Sequence, residues 1–171
     1  LSLREAQIMA SVGKLSIAIP KLKMMLELEP SNNEIHLTLA SIYNQTREFK
    51  KSIFHYQEAL NHSDTNLKDE IYLDLAMVFE NSGNFKKALA ILKLALKKNP
   101  ENETALHEMA FCFDESDDNV EGTEFFKAFT DNHPYSFSAW YCLGNCLLKQ
   151  DRNREAAIAF EFCLAIQDDF T

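Results

Sequence analysis

The sequence predicts an all-α solenoid, in which short helical repeats stack along the chain. The first observation is a period close to 34 residues, which Pro30, Pro100 and Pro134 mark by closing apolar-periodic runs. The second is that only four Gly and four Pro interrupt a chain that is 46% hydrophobic, so helices can form almost throughout. A repeat of this length cannot bury its own apolar face and must stack on its neighbours.

Apolar residues recur at helical spacing in ten segments, which the turn residues separate. Pro20 falls inside the second segment, where we expect either a kink or a helix that starts late. The second repeat is two residues longer than the others and has Asp64 in place of the closing Pro, so Ser63–Asn66 should form an extended turn. The predicted helices are 1–12, 15–28, 33–45, 49–62, 68–82, 85–98, 103–114, 119–132, 137–149 and 153–167.

The repeats resemble the tetratricopeptide repeat, whose pattern reads W-x2-L-G-x2-Y, then A-x3-F, then P. The best match is the fifth repeat, which has Trp140, Leu143, Gly144, Leu147, Ala156 and Phe160, although Asp168 replaces its closing Pro. The third repeat fills the same positions with Tyr72, Leu75, Ala76, Phe79, Gly83, Ala88, Leu92, Ala95 and Pro100.

The resemblance covers the whole chain and implies a right-handed α-solenoid of about five antiparallel helix-turn-helix repeats. We therefore expect a single domain over 1–171. Leu1 lies partway into a first helix and Thr171 lies where a further repeat would start, so we expect a piece of a longer array. The repeats are 1–32, which is truncated at its start, 33–68, 69–102, 103–136 and 137–170.

Small residues in the second position of each pair, Ala40, Ala76, Ala110 and Gly144, should let the two helices of a repeat approach closely. Among the histidines, His36 stands where the repeat prefers an aromatic residue, which suggests a position at the edge of the core. Three of the four cysteines, Cys112, Cys146 and Cys163, occupy positions that favour a small buried residue.

Charge and composition narrow the class of function. The net charge is −9, and the repeat 103–136 supplies −8 of it, because nine carboxylates oppose only Lys127. An acidic chain binds nucleic acid poorly, because Lys and Arg contacts to phosphates supply most of the non-specific affinity. We expect no metal site or cofactor, since no CxxC or HxxxH spacing occurs, and no enzyme activity, since catalytic and phosphate-binding motifs are absent. The sequence has no run of 18 apolar residues, so it predicts no membrane span. The free thiols favour a reducing, cytoplasmic location.

The resemblance also implies that positions 2, 5, 9, 12 and 13 of each repeat line a concave groove. In the second repeat these are Glu34, Leu37, Ser41, Asn44 and Gln45. Across the third to fifth repeats we select the residues that combine an apolar stripe with carboxylates and amides. These candidate groove residues are Leu73, Met77, Glu80, Asn81, His107, Phe111, Asp114, Glu115, Tyr141, Asn145 and Leu148.

Such a groove suits a protein or peptide partner that carries apolar anchors and Lys or Arg. The clamp that other family members use for acidic chaperone tails does not fit, because Leu37, Thr104 and Glu108 stand where that clamp has Lys or Arg. Three alternatives stay open: binding through a lateral or convex surface, RNA recognition, and self-assembly through exposed terminal helices. The self-assembly contacts would be Phe160, Phe162 and Leu164.

Overall fold

The computed structural model describes residues 2–63 and 68–169, with side chains as far as Gln167. Every predicted helix is present, and every bound lies within two residues of its predicted position. The described ranges contain no strand. Of the predicted turn Ser63–Asn66, residues 64–66 fall outside the described residues, as does the Asp168 side chain. The helices are α1 (Leu3–Ser11), α2 (Leu15–Leu28), α3 (Asn33–Gln45), α4 (Phe49–His62), α5 (Lys68–Asn81), α6 (Phe85–Lys98), α7 (Glu103–Glu115), α8 (Asn119–Asn132), α9 (Phe137–Leu148) and α10 (Asn153–Asp169).

One residue with left-handed backbone geometry ends the first helix of each repeat. Its φ angle lies between 54° and 79° in all five repeats. Two of these residues are glycines, which adopt this region without steric cost. The recurrence shows that the first helix of every repeat ends in the same way. The five residues are Gly13, Arg47, Gly83, Asp117 and Asp151.

The expectation of a late start for the helix around Pro20 is wrong, because α2 begins at Leu15 and Pro20 lies inside it. Proline removes one backbone N–H and crowds the preceding turn. Here its ring is exposed, while Ala18 and Leu22 on either side are fully buried. The burial of these apolar neighbours holds the helix through the proline.

The closing prolines also organise the start of the next helix. The residue two positions after each proline is the N-cap of the next helix. Its side chain accepts a hydrogen bond from a backbone N–H of the first turn. These N-cap residues are Asn32, Asn102 and Ser136. Such a cap is worth about 1 kcal/mol. In the last repeat Trp140 Nε1 donates to Pro134 O at 2.8 Å, and His36 Nε2 lies 3.0 Å from Pro30 O. Each ring therefore ties its helix to the preceding turn.

The helices group into two compact units, Leu1–Gly83 and Asn84–Thr171, with the boundary inside the repeat 69–102. In the first unit α1 pairs with α2 and α3 with α4, while α3 also packs on the first pair and α4 on α5. Hydrophobic burial from successive repeats therefore merges into one core. Its fully or nearly fully buried residues include Ala6, Leu22, Ile35, Leu39, Ile42 and Tyr43.

In the second unit, α7 packs on α6, α8 and α9, and α9 packs on α8 and α10. Large aromatic residues fill this core, since Phe113 and Phe126 are both fully buried. Small residues make the close approach possible: a Cβ added at Gly144 would lie 2.5 Å from Phe160 Cε1. All four cysteines are free and buried, including Cys142. They therefore pack as small hydrophobic side chains.

Candidate functional site

A pocket of about 330 Å³ opens between α7 and α9 in the second unit, and we call it the α7–α9 pocket. Successive positions on one helix face line it, because residues three, four and seven apart share a face. Five of the candidate groove residues lie in its wall: His107, Phe111, Asp114, Asn145 and Leu148. The others are Ala110, Asn119, Cys142, Cys146 and Lys149.

The apolar side of the α7–α9 pocket is formed by Phe111 and Leu148. Their side chains are 47% and 46% exposed, although each is large and apolar. The Phe111 ring also contacts Phe85 edge to face, with the centroids 6.3 Å apart. Exposed apolar groups that are held in place can be buried by a ligand at little cost in conformational entropy.

The polar side of the pocket carries an ion pair. Lys149 Nζ lies 3.0 Å from Asp114 Oδ2, and both side chains are about half exposed, at 58% and 42%. An exposed pair of this kind is worth about 0–1 kcal/mol. A cationic ligand could therefore displace Lys149 from Asp114 with a small loss of stability.

Two thiols form part of the pocket floor. Burial is the main cause that raises the pKa of Cys142 to about 12. Burial is also the larger cause that raises the pKa of Cys146 to about 11, and the negative charge of the nearby Asp114 is the smaller one. Both thiols are therefore protonated at neutral pH and lack the reactivity of a thiolate. His107 Nδ1 lies 3.7 Å from Cys142 Sγ, which holds the imidazole against the wall.

Two candidates in the second unit do not line the α7–α9 pocket. Tyr141 lies beside it on α9. Its ring stacks on Phe137 with the centroids 6.3 Å apart and meets the His107 ring edge to face at 6.2 Å. Glu115 is exposed as the last residue of α7. Lys149 also lines the pocket. It occupies position 13 of the fifth repeat, one of the positions that the resemblance places in the groove, but it is not among the eleven candidate residues.

The remaining four candidates lie on α5 in the first unit. Met77 is 48% exposed, and Leu73 and Glu80 are half-buried. Asn81 Nδ2 donates to Asn44 Oδ1 at 3.1 Å, which joins the ends of two predicted groove helices. These residues share one face of α5, as their spacing predicts.

The first unit also has a concave pocket of its own, of about 380 Å³, between α1 and α3. It includes Glu34, Leu37, Ser41 and Gln45, four of the five second-repeat positions implied by the resemblance. Gln7 closes one side, because its amide nitrogen donates to Glu34 Oε1 at 3.0 Å and to Thr38 Oγ1 at 3.2 Å. Glu34 is the one charged residue in this lining.

A buried histidine pair lies elsewhere in the first unit. His36 Nδ1 and His55 Nδ1 are 3.0 Å apart, and the His55 ring stacks on Tyr43. Because His36 Nε2 must donate to Pro30 O, its Nδ1 accepts and His55 Nδ1 donates. Burial is the main cause that lowers the pKa of His55 to about 4, and the nearby His36 and Lys23 add to it. The pair is therefore structural, and His55 is neutral at pH 7.

Neither a metal centre nor a membrane span emerges from the described residues. They contain no group of three or more His, Cys, Asp or Glu side chains placed to hold a metal ion. None of the helices within 2–63 and 68–169 is both long and apolar enough to cross a membrane.

Comparisons with known proteins agree with the repeat pattern. A tetratricopeptide repeat family model matches residues 69–112. No curated protein matches the sequence significantly. Among solved structures, YrrB, described as a TPR protein with an unusual peptide-binding site, is 21% identical with a TM-score of 0.64. The match covers 98% of this chain and 85% of YrrB.

Two further structures show the same fold. MamA from Desulfovibrio magneticus RS-1 is 16% identical with a TM-score of 0.65, over 97% of this chain and 93% of that one. PilF of Pseudomonas aeruginosa is 16% identical with a TM-score of 0.59, over 95% and 73%. The match of the family model, the recurring turn and these likenesses lead to one conclusion: the chain has an all-α helical repeat solenoid fold, and its residues 69–112 match the tetratricopeptide repeat.

Proposed function

We propose that the chain is a non-enzymatic protein-interaction scaffold whose concave helix faces bind a peptide segment that carries apolar and basic side chains. The observation that supports this most is the α7–α9 pocket, in which exposed Phe111 and Leu148 stand beside the carboxylate of Asp114. A cleft with an apolar wall and a few fixed polar groups is the usual form of a binding site.

The two kinds of wall contribute differently to affinity. Burying a side chain the size of Phe or Leu is worth about 1.5–3 kcal/mol. Phe111 and Leu148 are about half exposed already, so about half of that remains for each. An exposed ion pair with Asp114 adds about 0–1 kcal/mol. The apolar wall should therefore set affinity, and the carboxylates should favour basic over acidic segments.

The peptide-binding site of YrrB supports the same class of ligand, since that protein shares the fold. A nucleic-acid ligand is disfavoured, because the net charge of −9 repels phosphates. The candidates on α5, Leu73, Met77, Glu80 and Asn81, would form the corresponding surface in the first unit. A cytoplasmic location and the absence of enzyme activity stay predictions.

The test is a selection of binders from a random 12-residue peptide library, followed by affinity measurement with purified protein. We expect the selected peptides to be enriched in Lys or Arg together with large apolar residues. The variant Phe111→Ala with Leu148→Ala should lose about tenfold or more in affinity, from about 1.5 kcal/mol of lost burial. The control is Leu94→Ala with Val120→Ala, since these residues are also apolar and exposed, at 47% and 60%, but lie outside the pocket. Equal loss in both variants would refute the site.

Charge reversal tests the electrostatic part of the proposal. Asp114→Lys with Glu115→Lys should slow association with a basic peptide and flatten the dependence of the on-rate on salt, because steering by surface charge is screened by ions. Stopped-flow association rates measured between 50 and 500 mM NaCl report both effects. The screening length, which is about 10 Å at 0.1 M, shortens strongly over this range. An on-rate that stays constant over this range in the unchanged protein would contradict the steering role.

A second candidate function is self-assembly through α10. Three large apolar side chains of α10 are about half exposed: Ile158 at 53%, Phe162 at 46% and Leu164 at 61%. This helix therefore presents an apolar surface. Phe160, which the sequence grouped with them, instead packs against Gly144 within the α9–α10 pair. Solution mass that rises with protein concentration, and that falls back when α10 is made polar, would favour this function over peptide binding.

A further inference from the structure

A different pocket of about 620 Å³ lies in the second unit, at the edge where closing turns lead into the next helix. We call it the closing-turn pocket. It is formed by the α6–α7 turn, the α8–α9 turn and Ile166 of α10, and it shares no lining residue with the α7–α9 pocket. Its volume lies within the range of pockets that hold small ligands or peptide side chains, about 300–1,000 Å³.

Aromatic side chains are exposed in the closing-turn pocket. Tyr135 is 75% exposed and Phe137 is 40% exposed, although aromatic residues normally bury most of their surface. His133 is held against Phe129, with ring centroids 4.6 Å apart. Exposed aromatic faces carry negative potential and attract cations.

Carboxylates share the same pocket. Glu101 and Glu103 line it, and the lining includes no Lys or Arg. Within the described part of the chain, neither of these two side chains has a cationic partner. This contrasts with Asp114, which Lys149 neutralises in the α7–α9 pocket. The charge of the closing-turn pocket is therefore left for a ligand to complement.

The walls of the pocket are held rigidly. Ser136 N–H donates to His133 O at 3.1 Å, and Trp140 Nε1 donates to Pro134 O at 2.8 Å. On the other side, Glu101 N–H donates to Asn99 Oδ1 at 3.2 Å. Turns that are fixed in this way lose little entropy when a ligand binds.

We propose that the closing-turn pocket binds an arginine-bearing segment of a partner protein, separately from the concave peptide site. A guanidinium stacks on an aromatic face and offers a fork of N–H donors to carboxylates, which an ammonium does less well. Exposed Tyr135 and Phe137 supply the aromatic faces, and Glu101 and Glu103 supply the acceptors. The pocket is large enough for neighbouring side chains of the same segment as well.

An NMR titration with acetylated, amidated tetra-arginine at 150 mM NaCl tests the proposal, with tetra-lysine and tetra-glutamate as comparators. Trp140 is the only tryptophan, and its indole N–H bonds to Pro134 in the pocket wall, so it is a unique reporter signal. We expect tetra-arginine to shift this signal saturably and to bind more tightly than tetra-lysine. Tetra-glutamate should not bind.

Variants locate the binding. Glu101→Gln with Glu103→Gln should weaken tetra-arginine binding about three- to tenfold, as expected for two exposed ion pairs. Tyr135→Ala should weaken it about two- to fivefold through the lost cation–π contact. The matched control is Glu124→Gln with Asp117→Asn, which removes the same charge outside the pocket and should change affinity less than twofold. All five substituted positions are exposed, and circular dichroism checks that the helices are retained.

The outcomes separate this pocket from the concave site. The proposal is supported if the affinity for tetra-arginine falls in Glu101→Gln with Glu103→Gln. The affinity should be retained in Phe111→Ala with Leu148→Ala. The reverse pattern would overturn it and leave the concave site intact. An unshifted Trp140 signal, or equal weakening by the control pair, would overturn it as well.

Discussion

Replacing Gly144 by Ala tests the close contact between α9 and α10. The added Cβ would lie 2.5 Å from Cε1 and 2.6 Å from Cζ of Phe160, whereas carbon atoms normally approach to about 3.5–4.0 Å. The ring, which is half-buried and 5.9 Å from the Tyr141 ring, must therefore move by about 1 Å. Overpacking of this kind costs about 1–3 kcal/mol.

Alanine also stabilises a helix interior relative to glycine by about 1 kcal/mol, which offsets part of that cost. The single variant should therefore lose about 0–2 kcal/mol, and the more decisive quantity is its coupling to Phe160. With Phe160→Leu the two closest ring atoms are gone, so Gly144→Ala should become neutral or stabilising. The expected coupling free energy is about 1–3 kcal/mol.

Urea unfolding followed by circular dichroism and by the fluorescence of Trp140, one turn before Gly144 on α9, measures this coupling. The matched control combines Gly144→Ala with Phe162→Leu, the same chemical change two residues further along α10, where coupling should be small. A coupling below about 0.5 kcal/mol between Gly144 and Phe160, or an equal value for the control pair, would refute the reasoning.

Three further outcomes are expected. Because the folded state lowers the pKa of His55 to about 4 from its ordinary 6.5, stability should fall as the pH drops from 6.5 towards 4, by up to about 3 kcal/mol. In His55→Phe this part of the pH dependence should disappear from urea unfolding measured at each pH. Lys149→Ala should alter the free energy of unfolding by less than about 1 kcal/mol, because its ion pair with Asp114 is exposed, yet tighten binding of a selected basic peptide in calorimetry. Phe162→Glu with Leu164→Glu should abolish any rise of solution mass with concentration in analytical ultracentrifugation, while leaving peptide affinity unchanged.

The helices are the part of the structure that the sequence determined most completely. Their bounds depend on local features: apolar spacing of 3.6 residues, closing prolines, and the cap residues Asn32, Asn102 and Ser136. These act within a few residues of one another, so a sequence pattern contains them. Pro20 shows the limit of local rules, because burial of its neighbours outweighed its effect on the helix.

The sequence also determined which residues share a helix face, since side-chain direction follows the helical phase. For this reason five candidate groove residues, among them Phe111 on α7 and Leu148 on α9, line one pocket. It did not determine that Lys149 pairs with Asp114, or that Tyr141 turns beside the pocket rather than into its lining.

Only the tertiary structure decided the contacts between residues that are far apart in the chain. His36 meets His55 across 19 residues, and Lys149 meets Asp114 across 35. The closing-turn pocket likewise brings together Glu101, Tyr135 and Ile166 from three segments. Such contacts depend on how far one helix pair slides along the next and on the rotamer each side chain adopts there. A repeat pattern specifies that helices stack, but close packing in three dimensions selects which side chains touch.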